Sequence, residues 1–159
     1  GQNVVVNQGD WQGQLEANKT AFTQEFVQRQ RFLADYPLSM TPTQFVDRLN
    51  GRARGPLDAS ERQALIDELT ANNTAAGRAS VLRKVAEDPT LEQAEKNRAF
   101  VLMQYFGYLR RDPDEDPDTD YTGYDFWLGN LNRFNGNFEQ AELVKAFISS
   151  AEYRQRFWE

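Results

Sequence analysis

The chain is expected to be all-α: a compact bundle of about seven or eight helices built from two similar helical repeat units. Capping residues recur ahead of apolar stripes of helical period, while alternating strand patterns are scarcely present. The stretch Ala79-Ser80-Val81-Leu82-Arg83-Lys84-Val85-Ala86 returns as Ala141-Glu142-Leu143-Val144-Lys145-Ala146-Phe147-Ile148, an offset of 62 from 79 to 141. Each copy follows an Asn/Gly-rich break, Asn72-Asn73 in one and Asn135-Gly136-Asn137 in the other, as in stacked helical modules. With 159 residues and 40% hydrophobic content the chain can bury a real core, so a single domain over 10–159 is expected. Residues 1–9 lack a basic leader and a long apolar run, and read as a linker or the tail of an upstream region.

The elements follow in order. Asp10 is a candidate N-cap for one or two helices running towards Tyr36, with Phe22, Phe26 and Phe32-Leu33 at helical spacing and Pro37 as the stop. Thr41-Pro42 places a cap before a proline at the first helical position, and Phe45, Val46 and Leu49 mark the buried face. Asp58 with Glu61 resembles a capping box ahead of Leu65, Ile66 and Leu69. Thr74 caps a helix burying Val81, Leu82 and Val85, and Asp88-Pro89 opens the longest helix, extending to about Arg110, where two arginines suit the helix dipole. Thr122-Gly123 leads into a helix whose aromatic and leucine positions, Phe126 and Trp127 among them, are expected on one face. A closing pair buries Leu143, Val144 and Phe147, with Ser149 and Glu152 as a further capping pattern. The repeat units span about 41–88 and 89–150. Glu25-Phe26 followed by Gln28-Arg29 echoes Glu152-Tyr153 followed by Gln155-Arg156, as a partial third copy would.

Composition excludes much chemistry. There is no histidine and no cysteine, which removes the commonest general base, the commonest zinc ligands and the thiol nucleophile. The net charge of −6 is matched by six acids in one loop, Asp112, Asp114, Glu115, Asp116, Asp118 and Asp120. No basic stripe exists to neutralise phosphates, so neither nucleic acid nor an anionic membrane surface is an expected partner. The apolar run from Ala99 to Leu109 is far short of the roughly 20 residues a spanning helix needs, so no membrane insertion is expected.

The acidic loop is the only chemically conspicuous element. Hard cations such as calcium take six to eight oxygens, and closely spaced aspartates supply them. Asp112, Asp114, Asp116, Asp118, Asp120 and Asp125 are therefore the candidate ligands of a weak calcium site, and no other cofactor is expected. An EF-hand register starting at Asp114 puts Thr119 where glycine belongs and Asp125 in place of the twelfth-position glutamate, so the alternative is a solvated turn. Trp11, Trp127 and Trp158 suit either a sugar-stacking platform or core packing, with Trp127 assigned to the core. Asp67, Glu68 and Glu92 are the carboxylates from which a hydrolytic pair would have to come, but they fall on polar helix faces where charge is solvated or paired, and no catalytic residue is assigned.

The run Phe100-Val101-Leu102-Met103-Gln104-Tyr105-Phe106-Gly107-Tyr108-Leu109-Arg110-Arg111, the Asp/Pro-rich loop, Gly123-Tyr124-x-Phe126-Trp127-Leu128, and Phe147-Ile148-x-Ser150-x-Glu152-Tyr153 together resemble the bacterial domain-of-unknown-function family DUF4214. That family's pattern is a helix ending in Leu-Gly-Arg, an Asp-Pro-Asp turn, a Gly-x-x-x-Trp helix and a Ser-x-Glu-Phe ending. Here Arg110-Arg111 stands where members usually have Gly-Arg, and the first unit has Gly55-Pro56-Leu57-Asp58 in place of the loop and lacks the tryptophan. The resemblance implies an all-helical module of large secreted or surface-anchored bacterial proteins, distantly similar to phycobilisome linker domains, with no catalytic residues to carry over. The expectation is thus a non-catalytic accessory or interaction domain, extracellular or at the cell surface, whose partners are neighbouring domains, another surface protein or a cell-surface polymer. A calcium-stabilised carbohydrate-binding module is the alternative.

Overall fold

The computed structural model describes residues 2–157, so Trp158, one of the candidate platform tryptophans, lies outside the described residues. The all-α class is as expected: among the described residues there are nine α-helices, a π-helical turn and no strand. Backbone packing groups them into two units, one up to Leu91 and one from Glu92 on, each with its own apolar cluster.

In the first unit, α1 (Trp11–Phe26) is capped by Asp10, whose Oδ1 accepts from the Gly13 N–H at 3.0 Å. None of its residues is fully buried. Much of its hold on α5 is polar: Lys19 pairs with Glu87 at 2.9 Å, and Arg83 reaches both Glu16 and the Thr20 hydroxyl. Helix α2 (Gln30–Asp35) buries Phe32, which stacks on Tyr36 at 4.5 Å. Thr41 and Gln44 form a capping box on α3 (Pro42–Arg52), and Asp58 and Glu61 form one on α4 (Ala59–Ala71). Thr74 caps α5 (Ala75–Ala86), where Gly77 passes so close to the Asn72 carbonyl that a β-carbon has no room. Phe45, Val46, Leu49, Leu69 and Val81 fill the centre, each buried side chain of this size contributing about 1.5–3 kcal/mol by leaving water.

Arg78 is buried against that core, and its guanidinium donates to the carbonyls of Tyr36, Pro37, Leu38 and Met40 at 3.1–3.2 Å while lying 5.0 Å over the Phe45 ring. Desolvation lowers its pKa from the ordinary arginine value. One side chain thus gathers four carbonyls of a proline-containing loop, where an unpaired buried carbonyl is costly.

The second unit is reached through α6 (Pro89–Gln104), whose start is capped by Asp88 accepting from the Thr90 and Leu91 N–H groups at 2.8 and 3.1 Å. It continues into the π-helical turn Tyr105–Leu109 and stops at Arg110, which is left-handed at φ 51°, ψ 42°. Helices α7 (Thr122–Arg133), α8 (Leu143–Ser149) and α9 (Ala151–Phe157) complete the unit around Val101, Tyr105, Leu131, Leu143 and Phe147. Asn97 bridges α6 to Asn132 of α7 at 2.8 Å, and Gly136, at φ 81°, passes over the Gln93–Asn97 pair with no room for a side chain.

The repeated stretches show like burial: Val81 and Leu143 are fully buried, Leu82 and Val144 half-buried, Val85 and Phe147 buried. They differ in onset, because α5 begins at Ala75 whereas Asn137 to Glu142 lie outside the helix and α8 begins only at Leu143. The weaker echo is also visible, since Glu25–Arg29 and Glu152–Arg156 are both i,i+4 ion pairs. Two local expectations are corrected. Phe126 does not share the buried face of Trp127: consecutive helical residues diverge by about 100°, and Phe126 is 62% exposed. The last cap is Ser150, whose Oγ accepts from the Tyr153 N–H at 3.0 Å, rather than Ser149.

Candidate functional site

The acidic loop is built around Arg111, which leaves the π-helical turn pointing inward and is only 7% exposed. Its Nε and Nη2 grip Glu152 of α9 at 2.6 and 3.1 Å, and Nη2 also donates to Asp118 at 2.6 Å. Nη1 donates to the Asp112 and Glu115 carbonyls at 3.0 Å and to Pro113 at 3.4 Å. The planar group lies 5.2 Å over the Tyr105 ring. A guanidinium has five N–H donors, and all are engaged. Glu152 foremost, with Asp118, holds its pKa above the ordinary arginine range against the effect of burial. The arrangement parallels Arg78 in the first unit: a buried arginine over a core aromatic, collecting the carbonyls of a proline-containing loop.

The rest of the loop is held by its own turns. Asp112 N–H donates to Glu115 Oε2 at 2.9 Å, Asp118 N–H donates to the Glu115 carbonyl at 3.0 Å, and the Asp116–Pro117 peptide is cis. Asp120 accepts from Thr122 N–H at 2.8 Å at the start of α7, and the Thr122 hydrogen bonds hold its carboxyl below the usual range. Asp114, then burial and Asp112, push the Tyr121 phenol up. Asp125 sits exposed in the first turn of α7. Of the six candidate calcium ligands, Asp118 is therefore paired with Arg111 and Asp120 with a backbone N–H. Among the described residues no group of three or more carboxylates is gathered as a metal ion requires.

Beside the arginine lies a cleft of about 270 Å³, lined among others by Tyr105, Asp118, Gly123, Trp127, Phe147 and Glu152. The Tyr105 phenol is pushed up to about 12, mainly by burial and then by Asp118. Gly123 lets the head of α7 approach it, since a β-carbon there would stand 2.9 Å from the Tyr105 hydroxyl oxygen. Trp127 packs against Phe147 at 5.9 Å as part of the core. Trp11 heads α1 in the other unit.

Each of the carboxylates considered for hydrolysis has a local partner: Asp67 accepts from Gln63, Glu68 from Lys84 and Ser80, and Glu92 pairs with Lys96. Lys84 in particular holds Glu68 below the usual carboxylate range. A wider groove of about 480 Å³ runs between α7 and α8, floored by Phe126, Trp127 and Phe134 and rimmed by Arg133, Gln140 and Lys145.

Sequence reasoning missed Arg111 and Glu152 as partners. The available signal was a basic residue set between an apolar helix end and a run of acids. Among the described residues no helix is long and apolar enough to cross a membrane. Comparison with curated proteins and with solved structures finds no match. Arg111, the Asp-Pro turn, Gly123, Trp127, Ser150 and Glu152 all converge on this one loop and cleft, and they lie within residues 88–157, the stretch matched by the model of the family described as Domain of unknown function (DUF4214).

Proposed function

We propose that the chain is a non-catalytic accessory module of a larger secreted or cell-surface bacterial protein, which uses its outer surface to hold a neighbouring domain, another surface protein or a cell-surface polymer. The observation that supports this reading is the saturation of Arg111. The donors of Arg111 are spent on Glu152, Asp118 and the loop carbonyls, fixing the loop to α9, whereas the aromatic Phe126 is left exposed in the α7–α8 groove. Aromatic side chains, phenylalanine among them, are enriched at the cores of protein–protein interfaces. The test is cross-linking of the full-length protein from Lys145, together with a glycan array. Lys145 cross-links or glycan binding lost on Phe126→Asp are expected. Turnover of a glycoside or ester library that Glu152→Gln abolishes would overturn the non-catalytic reading.

No resident cofactor is assigned to the module. Calcium drawn by the loop's charge would be held no tighter than the roughly millimolar range of extracellular modules, because two of the aspartates already have partners. Titration calorimetry checks this, and a micromolar site lost on changing Asp114, Asp116 and Asp118 to Asn would favour the calcium-stabilised carbohydrate-binding alternative.

A further inference from the structure

The outward face of α6 and its π-helical extension is unpartnered and has an unusual layout. Met103 is 65% and Phe106 49% exposed, and Ala99 and Gly107 are exposed beside them. No atom lies within 4 Å of where a side chain on Gly107 would be, so nothing in its own chain requires glycine there, although glycine inside a helix costs about 1 kcal/mol relative to alanine. Glu92 and Glu95 stand at one end of this face. Arg110, held 5.1 Å over the partly exposed Phe157 ring, stands at the other.

We infer that this face pairs with the same face of a second copy, the two helices antiparallel about a two-fold axis at the level of Val101. Charge and size select that register. It sets Arg110 against the partner's Glu92 and Met103 over the partner's Ala99. Phe106 then covers the stem of the partner's Lys96, and Gly107 makes room for the partner's Glu95. A parallel pair would set Arg110 against its own counterpart and Met103 against Met103, juxtaposing like charges that disfavour association. A lipid surface is a poorer occupant, because two glutamates border the face and the chain carries −6. The face is separate from the α7–α8 groove, so the pairing goes beyond the accessory-module reading and fails or stands independently of it.

The experiment is sedimentation velocity on the chain at roughly 100 µM, where a complex of micromolar Kd is populated. A dimer is expected. Met103→Glu should weaken it at least about tenfold, as should Glu92→Arg and Arg110→Glu singly, while the Glu92→Arg/Arg110→Glu double variant should return to within about threefold of wild type. Circular dichroism on each variant establishes that the helices persist. A monomer at this concentration, a dimer indifferent to Met103→Glu, or a double variant no better than the singles would each overturn the antiparallel pairing.

Discussion

Two adjacent arginines at the end of α6's extension do opposite things. Arg111 is buried and fully hydrogen-bonded, so truncating it leaves Asp118 without its cation and Glu152 with only Arg156. Arg111→Met is expected to cost about 3 kcal/mol, the lower end for a broken buried pair because Glu152 keeps some contact with water. Arg111→Lys should recover only part of this, having a point charge where five planar donors are used. Pairing Arg111→Met with Glu152→Leu should recover more, since the half-buried carboxylate that loses its main partner is then removed from α9. Denaturant titration of each variant checks the order. Arg110 is left-handed, a conformation that glycine adopts freely. The left-handed conformation costs an ordinary side chain about 1–2 kcal/mol, whereas a largely exposed contact with Phe157 returns about 0.5–1 kcal/mol. Strain outweighs stacking, so Arg110→Gly is expected to stabilise the dilute chain by about 0.5–1 kcal/mol, read as a higher denaturant midpoint.

Among the elements, α8 shows how a short helix is kept in place. Phe147 meets Tyr105 edge-on at 5.0 Å and Trp127 at 5.9 Å, joining α8 to the π-helical turn and to α7. Phe147→Ala should cost about 3–5 kcal/mol, whereas Ile148→Ala, on the exposed side of the same helix, should cost little. Thermal unfolding of the two variants side by side checks the contrast. Helix boundaries were largely legible in the sequence because caps are local: Asp10, Thr41, Asp58, Thr74 and Asp88 each bond to backbone within three residues. What escaped was of two kinds. Phe126 and Trp127 are both large aromatics at neighbouring positions, and periodicity cannot say which one turns inward until the partner helix is known. Arg111 finds Glu152 across 41 residues, and no local pattern encodes that separation. The acidic loop was recognised as an element, but its organising charge is the cation beside it.

For the molecule as a whole, the absence of histidine means that stability should be nearly flat between about pH 6 and 8. Its limits lie outside that window. Glu16, Asp47, Glu68 and Glu87 are held below their ordinary values chiefly by Arg83, Arg62, Lys84 and Lys19 respectively. Such groups stabilise the fold above the ordinary carboxylate range and lose that contribution as acid protonates them, so the melting temperature should fall below about pH 4.5. Tyr105 has the opposite sign: its raised pKa leaves stability intact up to about pH 10 and removes it progressively towards about 12. A melting-temperature series across pH tests both limits, and Tyr105→Phe should relieve part of the alkaline loss.

The Arg111 clasp has a further consequence for how the second unit tolerates change in length. Arg111 ties the loop at Asp112, Pro113, Glu115 and Asp118 and is itself tied to α9, whereas Thr119 to Tyr121 lie beyond the last tie and before α7. Chain inserted between Thr119 and Asp120 starts and ends outside the buried carbonyls, so it adds mainly the entropy of a larger loop, about 0.6 kcal/mol for each doubling of length. That position is a natural graft point for a peptide tag or a foreign epitope, while the same insertion two residues after Arg111 would unseat the guanidinium.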